Sequence, residues 1–92
     1  MIEFDGFDWD EANLKHATRH GIPREEIEEA LQGGFLEVSS YIRKGELRLS
    51  TVARSPSGTL LAIVVTVRKN RLRPITAHRL KRTKRKFYEK KI

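Results

Sequence analysis

Leu47-Arg48-Leu49-Ser50-Thr51-Val52-Ala53-Arg54, then Ser55-Pro56-Ser57-Gly58, then Leu60-Leu61-Ala62-Ile63-Val64-Val65-Thr66-Val67 is the stretch that decides the fold. In its first segment Leu47, Leu49, Thr51 and Ala53 share one face of a strand, while Arg48, Ser50 and Arg54 share the other. The Ser-Pro-Ser-Gly tetrad is a turn, and the segment after it is apolar on both faces, as expected of a central strand. Upstream, Leu36, Val38 and Ile42 fall on one face of a preceding strand. Downstream, Lys69-Asn70 reads as a tight hairpin loop into a fourth strand, Arg71 to Thr76. Pro74 cannot donate to a ladder, which predicts an edge position or a bulge there.

The flanking segments are helical in period. Asp8 followed by Glu11 has capping-box spacing, with Phe7 and Ala12 in staple positions, so a helix is expected from near Trp9 or Asp10 until Gly21 ends it. Pro23 suits the first turn of a second helix, whose Glu25, Glu26, Glu28 and Glu29 complement the N-terminal dipole. Its buried stripe is Ile27, Ala30 and Leu31, and Gly33-Gly34 stops it. A third helix is expected over residues 78–90, with Leu80, Thr83 and Phe87 packed and His78, Arg82, Arg85 and Glu89 opposite them. The order ααββββα, with helices segregated from an antiparallel sheet, is the α+β class. No repeat or linker interrupts residues 1–92, which read as a single domain.

Composition removes several function classes. Cysteine is absent, which excludes disulfides and thiolate metal sites. The longest apolar stretch, Leu60 to Val67, is far shorter than the roughly 20 residues of a membrane helix, so no membrane partner is expected. The start, Met-Ile-Glu-Phe-Asp, lacks the features of a secretory signal, and a cytoplasmic location is the expectation. There is no phosphate-cradling glycine loop and no nucleophile elbow.

Net charge is +7 and unevenly spread. Residues 1–32 carry nine acids and three bases, whereas residues 68–92 carry twelve bases and the single acid Glu89. So much positive charge in one segment calls for a polyanion or an acidic partner, and nucleic acid is the default. A solvated basic face is the plainer alternative.

Phe7-Asp8-Trp9-Asp10-Glu11, His16 and Arg19-His20-Gly21-Ile22 together resemble the N-terminal signature of BrnT-type toxins. The likeness continues through the acidic second helix, Glu46 with Arg48, Arg54, Gly58, Arg68, Arg73-Pro74-Ile75-Thr76-Ala77 and Tyr88. The resemblance implies a RelE-like fold, a ribonuclease activity that stops translation, and a cognate antitoxin protein. DNA would be met only indirectly, through the antitoxin. The sequence departs from the family at two places: His78 stands where Arg is usual, and Lys84 where Glu is frequent. The alternatives are a non-catalytic nucleic-acid-binding domain and a degenerate toxin that acts mainly as an antitoxin-binding partner.

Metal-independent RNA cleavage, with no cofactor, needs a base for the 2′-hydroxyl proton, an acid for the leaving 5′-oxygen and cations for the phosphorane. Histidine suits the first two roles near pH 7, making His78, His20 and His16 candidates by residue type. His78 ranks first, because it lies where the last strand meets the basic helix, and nearby bases should lower its pKa. Arg48, Arg54 and Arg82 are candidate catalytic cations, and Arg68, Arg79, Lys81 and Arg85 candidate RNA-binding residues. Tyr88 is a candidate to orient a proton relay or stack on a base, with core packing as its ordinary role. His16 and His20 have a spacing that can grip zinc, but no third ligand stands near, so no metal is expected. Trp9 reads as a core residue, and the four glutamates as a solvated face.

Overall fold

The computed structural model describes residues 3–92. Helix α1 spans Glu11–Ala17 and α2 spans Arg24–Gln32. The first helix is capped by Asp10, two residues later than the Asp8–Glu11 spacing predicts. The Asp10 carboxylate accepts from the Asn13 backbone N–H at 3.0 Å, and the Asn13 side-chain oxygen accepts from the Asp10 N–H at 2.7 Å. Asp8 cannot take that role because its own N–H is already donated to the Leu72 carbonyl, which holds this part of the chain against the sheet. Phe7 accordingly packs on the core and edge to face with Phe4 rather than stapling to Ala12, which is exposed. The Asn13 amide also donates to the carbonyls of Asp8 and Pro74, so one buried side chain ties the helix start to the last strand. α1 ends at Ala17, short of Gly21, and Gly21 at φ +86° turns the chain toward Pro23. In α2, Ile27, Ala30 and Leu31 are buried as the period predicts.

Four antiparallel strands follow in the order β1 (Phe35–Arg43), β2 (Glu46–Arg54), β3 (Leu60–Arg68) and β4 (Arg71–Arg79). The β1–β2 and β3–β4 hairpins turn through Lys44-Gly45 and Lys69-Asn70, all at positive φ, whose twist matches that of the strands they join. Two bulges reset the faces. In β1 the register shifts between Glu37 and Ser39, so Leu36 pairs with Val52 but Ile42 with Leu47. Leu36 and Ile42 therefore lie on opposite faces, not on one: the inserted residue inverts the alternation beyond it. In β4 the register shifts beside Pro74, on an edge strand, as the missing N–H requires. Residues 5–8 cover part of that edge, with Asp5, Asp8 and Leu72 N–H groups paired to Asn70, Leu72 and Gly6 carbonyls.

β4 runs to Arg79, beyond the expected end at Thr76, because His78 and Arg79 still pair with Ala62 and Leu61. The last helix, α3, is consequently only Arg82–Glu89. Its packed side also differs from the expected Leu80, Thr83 and Phe87. Lys84 and Tyr88 turn toward the sheet, while Phe87 is 60% exposed and packs on Tyr88 and Lys91. The helix rotation is set by an anchor at each end: Leu80 N–H to the Leu60 carbonyl at 3.1 Å, and Glu89 to Arg54 at 3.1 Å.

The sheet has two unlike faces. α1, α2 and their connection bury Ala17, Ile22, Ile27, Ala30 and Leu31 against Leu49, Ala53, Leu61, Ile63, Val65 and Ala77. Each large aliphatic side chain there contributes roughly 1.5–3 kcal/mol by leaving water. Thr51, in the same face, donates its hydroxyl to the Ile63 carbonyl and so is buried at little cost. The opposite face presents Arg48, Ser50, Val52 and Arg54 of β2, beside Ala62 and Val64 of β3 and Arg73, Thr76 and His78 of β4. α3 stands over one end of it, and His16 and Arg19 border it beside Arg73 and Thr76.

Candidate active site

Between α3 and this second face lies an open cleft of about 490 Å³. Ser50, Val52 and Val64 form its floor, and His78, Lys81, Lys84 and Tyr88 line its walls. Strand pairing with Ala62 positions His78, and the short segment from Leu80 brings Lys81 round beside it. Lys84 and Tyr88 are one helical turn apart and therefore project from the same side of α3.

His78 holds its imidazole pKa below the ordinary histidine value. Partial desolvation is the largest cause, followed by the positive charges of His20, Lys81 and Lys84. The sequence reading anticipated the direction and the role of the bases but not the leading contribution of desolvation. His20 is the second imidazole of the site, edge to face with His78 at 6.1 Å between centroids. It comes from the turn after α1, 58 positions away, and its Nε2 accepts from Arg19 Nε at 3.2 Å. Nothing in the local sequence around either histidine announces that pairing.

The remaining candidates separate. Arg54 is committed to structure, since its guanidinium reaches Glu89, the Gly58 carbonyl and the Ile92 carbonyl, pinning the end of α3 to the sheet. Arg68 grips Glu46 through Nε at 3.1 Å and Nη2 at 2.8 Å, at the end of the sheet far from α3. That pair, with Arg48 and Arg73 near, keeps the Glu46 carboxyl below its ordinary range. Arg48 lines a neighbouring cleft rather than the one holding His78. Arg79, Arg82 and Arg85 are exposed and outside the cleft lining, whereas Lys81 is within it.

Residues given other readings are also placed. His16 donates from Nδ1 to the Ile75 carbonyl at 2.7 Å, and among the described residues no three metal-ligating side chains gather. Trp9 packs against the core and donates to Glu28 at 2.7 Å, so one of the four glutamates fastens α2 to the N-terminal segment.

An imidazole thus lies in a cleft with two lysines and a tyrosine, under α3 on the second face of the α+β sheet. A family model described as "Ribonuclease toxin, BrnT, of type II toxin-antitoxin system" matches residues 9–84. The chain belongs to the BrnT family. No curated protein and no solved structure gives a significant match. The BrnT match takes in His20, His78, Lys81 and Lys84, while Tyr88 and Glu89 lie just beyond it. BrnT membership makes this a ribonuclease toxin of the type II class, with RNA as substrate class and an antitoxin protein as partner. None of the described helices is long and apolar enough to cross a membrane.

Proposed function

We propose that the chain is an endoribonuclease that cuts messenger RNA at the His78 cleft without a metal ion, stopping translation. The observation that carries this reading is His78 itself, lining a cleft together with Lys81 and Lys84, with its pKa held below the ordinary histidine value by partial desolvation and by those charges. Neutral His78 takes the 2′-hydroxyl proton as that oxygen attacks phosphorus. The bond from phosphorus to the 5′-oxygen breaks, and the departing oxygen takes up a proton. The products are a 2′,3′-cyclic phosphate and a 5′-hydroxyl. Lys81 and Lys84 offset the charge that builds on the phosphorane, an effect strengthened by the apolar floor of the cleft. The Lys84 ammonium, the Tyr88 hydroxyl and the His20 imidazole beside His78 are the donors available to protonate the leaving oxygen.

Arg54 acts as a positioning residue, through Glu89 and the orientation of α3. Exposed Arg79, Arg82 and Arg85 draw the polyanion toward the face by long-range attraction. The whole acts as one RelE-like toxin unit in the cytoplasm, checked by a cognate antitoxin through which any contact with DNA is made.

Purified protein incubated with RNA in EDTA tests the proposal. Cleavage leaving cyclic phosphate ends, lost in His78→Ala, is the expected result. Retention of intact RNA in a salt-sensitive manner would replace the enzyme with a nucleic-acid-binding domain. Absence of both, with tight antitoxin binding, would replace it with a degenerate toxin.

A further inference from the structure

Val64 lines the His78 cleft on one side and a second cleft, of about 580 Å³, on the other. Stretches far apart in sequence wall this second cleft, Asn13 and His16 of α1 among them. Arg19 comes from the segment after α1, Tyr41, Arg43 and Lys44 from the first hairpin, and Arg48 and Arg73 from β2 and β4. No carboxylate is among its lining residues. Asp8 and Asp10 engage Arg73 from behind, at 3.7 and 3.0 Å, and Glu46 approaches Arg48 Nε at 3.6 Å. That leaves Arg43 and Lys44 without an ion pair among the described residues, and the buried Nε of Arg48 without a hydrogen-bond acceptor. Tyr41 is 41% exposed and pairs in register with Arg48, so an aromatic ring is offered to solvent beside a guanidinium.

We propose that this second cleft is a subsite for nucleotides flanking the scissile phosphate, with Arg43, Lys44 and Arg48 on the ribose-phosphate chain and Tyr41 stacked on a base. The proposal rests on the reading of the first cleft as an RNA site and extends it. The row carrying Tyr41 and Arg48 lies four residues along β2 from Val52, whose row leads through Ala62 to His78. At roughly 3.3 Å per residue the two rows are about 13 Å apart, a gap that a single strand crosses in a few nucleotides. Cations on a sheet face interleaved with an exposed ring form the arrangement that grips single-stranded nucleic acid: charge tracks the backbone and the ring takes any base. Five of the residues lining this cleft, Arg19, Arg43, Lys44, Arg48 and Arg73, are cationic, which suits a polyanionic backbone.

The test is fluorescence anisotropy in EDTA with single-stranded RNAs of graded length, using the wild type, Tyr41→Ala, Tyr41→Phe and Arg43→Ala/Lys44→Ala, with kcat and KM measured in parallel. Affinity should rise with length until both clefts are filled. Tyr41→Ala and the double variant should each lose about tenfold on long RNA and almost nothing on a di- or trinucleotide, while Tyr41→Phe retains binding. The double variant should also flatten the dependence of log affinity on log salt by about two units. In cleavage, KM should rise with kcat unchanged. Equal losses on short and long RNA, or affinity indifferent to length, overturns the subsite. So does intact RNA binding by variants that no longer bind the antitoxin, which would assign the cleft to a protein. Should the wild type bind RNA and leave it uncut, the catalytic reading of the first cleft fails, while length dependence still decides the subsite.

Discussion

The two faces of the four-stranded sheet are built from the same residues in alternation, yet they do opposite things. One is closed by α1 and α2 over Leu49, Ala53, Leu61, Ile63 and Val65, and it holds the molecule together. The other leaves Arg48 and Ser50 partly exposed and His78 exposed, with α3 standing over one end and contributing no buried residue. A chain this small has one core to spend on stability, and the proposed site lies on the less covered face. None of α3's residues is buried, and in the proposed reading the helix serves the site rather than the core.

Substitutions on each face should therefore separate stability from activity. The largest effect expected is that of His78→Ala, which should lower cleavage about 10²–10⁴-fold while leaving the urea midpoint in place. Unaltered cleavage in that variant would take the base away from the open face. Next comes Leu61→Ala on the covered face, expected to cost about 2–5 kcal/mol in equilibrium unfolding. The fraction that stays folded should retain its kcat, and a cost well under 1 kcal/mol would mean that the division between the faces is misdrawn. Asn13→Ala should cost about 1–3 kcal/mol, since it strands the Pro74 and Asp8 carbonyls and removes the acceptor of the Asp10 N–H. If thermal melts show no change, the tie between α1 and β4 is not structural.

Arg54→Ala sharpens the comparison further. Its pair with Glu89 is partly exposed, so the stability change should be under about 1 kcal/mol. Cleavage should nevertheless fall through kcat as Lys84 and Tyr88 lose their positions, with partial recovery in Arg54→Lys. A loss confined to KM would make Arg54 an RNA contact instead.

The smallest effect concerns pH. With His78 as the proposed neutral base and its folded pKa below the ordinary histidine value, the acidic limb of the rate profile should fall below that value. Lys84→Ala, which removes one of the charges depressing it, should move the limb upward. A limb that stays put would detach Lys84 from His78. The sign for stability follows. A depressed folded pKa means the unfolded chain binds the proton more readily, so His78's contribution is intact above the unfolded value of about 6.5. It is lost as pH falls through the folded pKa.

Much of the covered face was legible from alternation and helical period alone. Leu49, Thr51 and Ala53 are buried where period 2 puts them, and Ile27, Ala30 and Leu31 where period 3.6 does. The errors sit where a long-range contact overrode a local signal. Asp8 lost the helix cap to the sheet edge, the β1 bulge separated Leu36 from Ile42, and strand pairing held His78 and Arg79 out of α3. The site was legible by residue type but not by grouping. Arginines named together from the sequence serve apart, Arg54 on Glu89 and Arg68 on Glu46, while Lys84 proved to be a wall of the cleft.

By itself the chain order determined an α+β fold with a basic third helix, because burial period and charge are properties of consecutive residues. Which imidazole meets which lysine, how α3 is rotated and where the two clefts adjoin were decided only when strands distant in sequence paired. His20 and His78 are neighbours through the packing of α1 and its following turn against β4, and no local pattern encodes a contact between residues 58 positions apart.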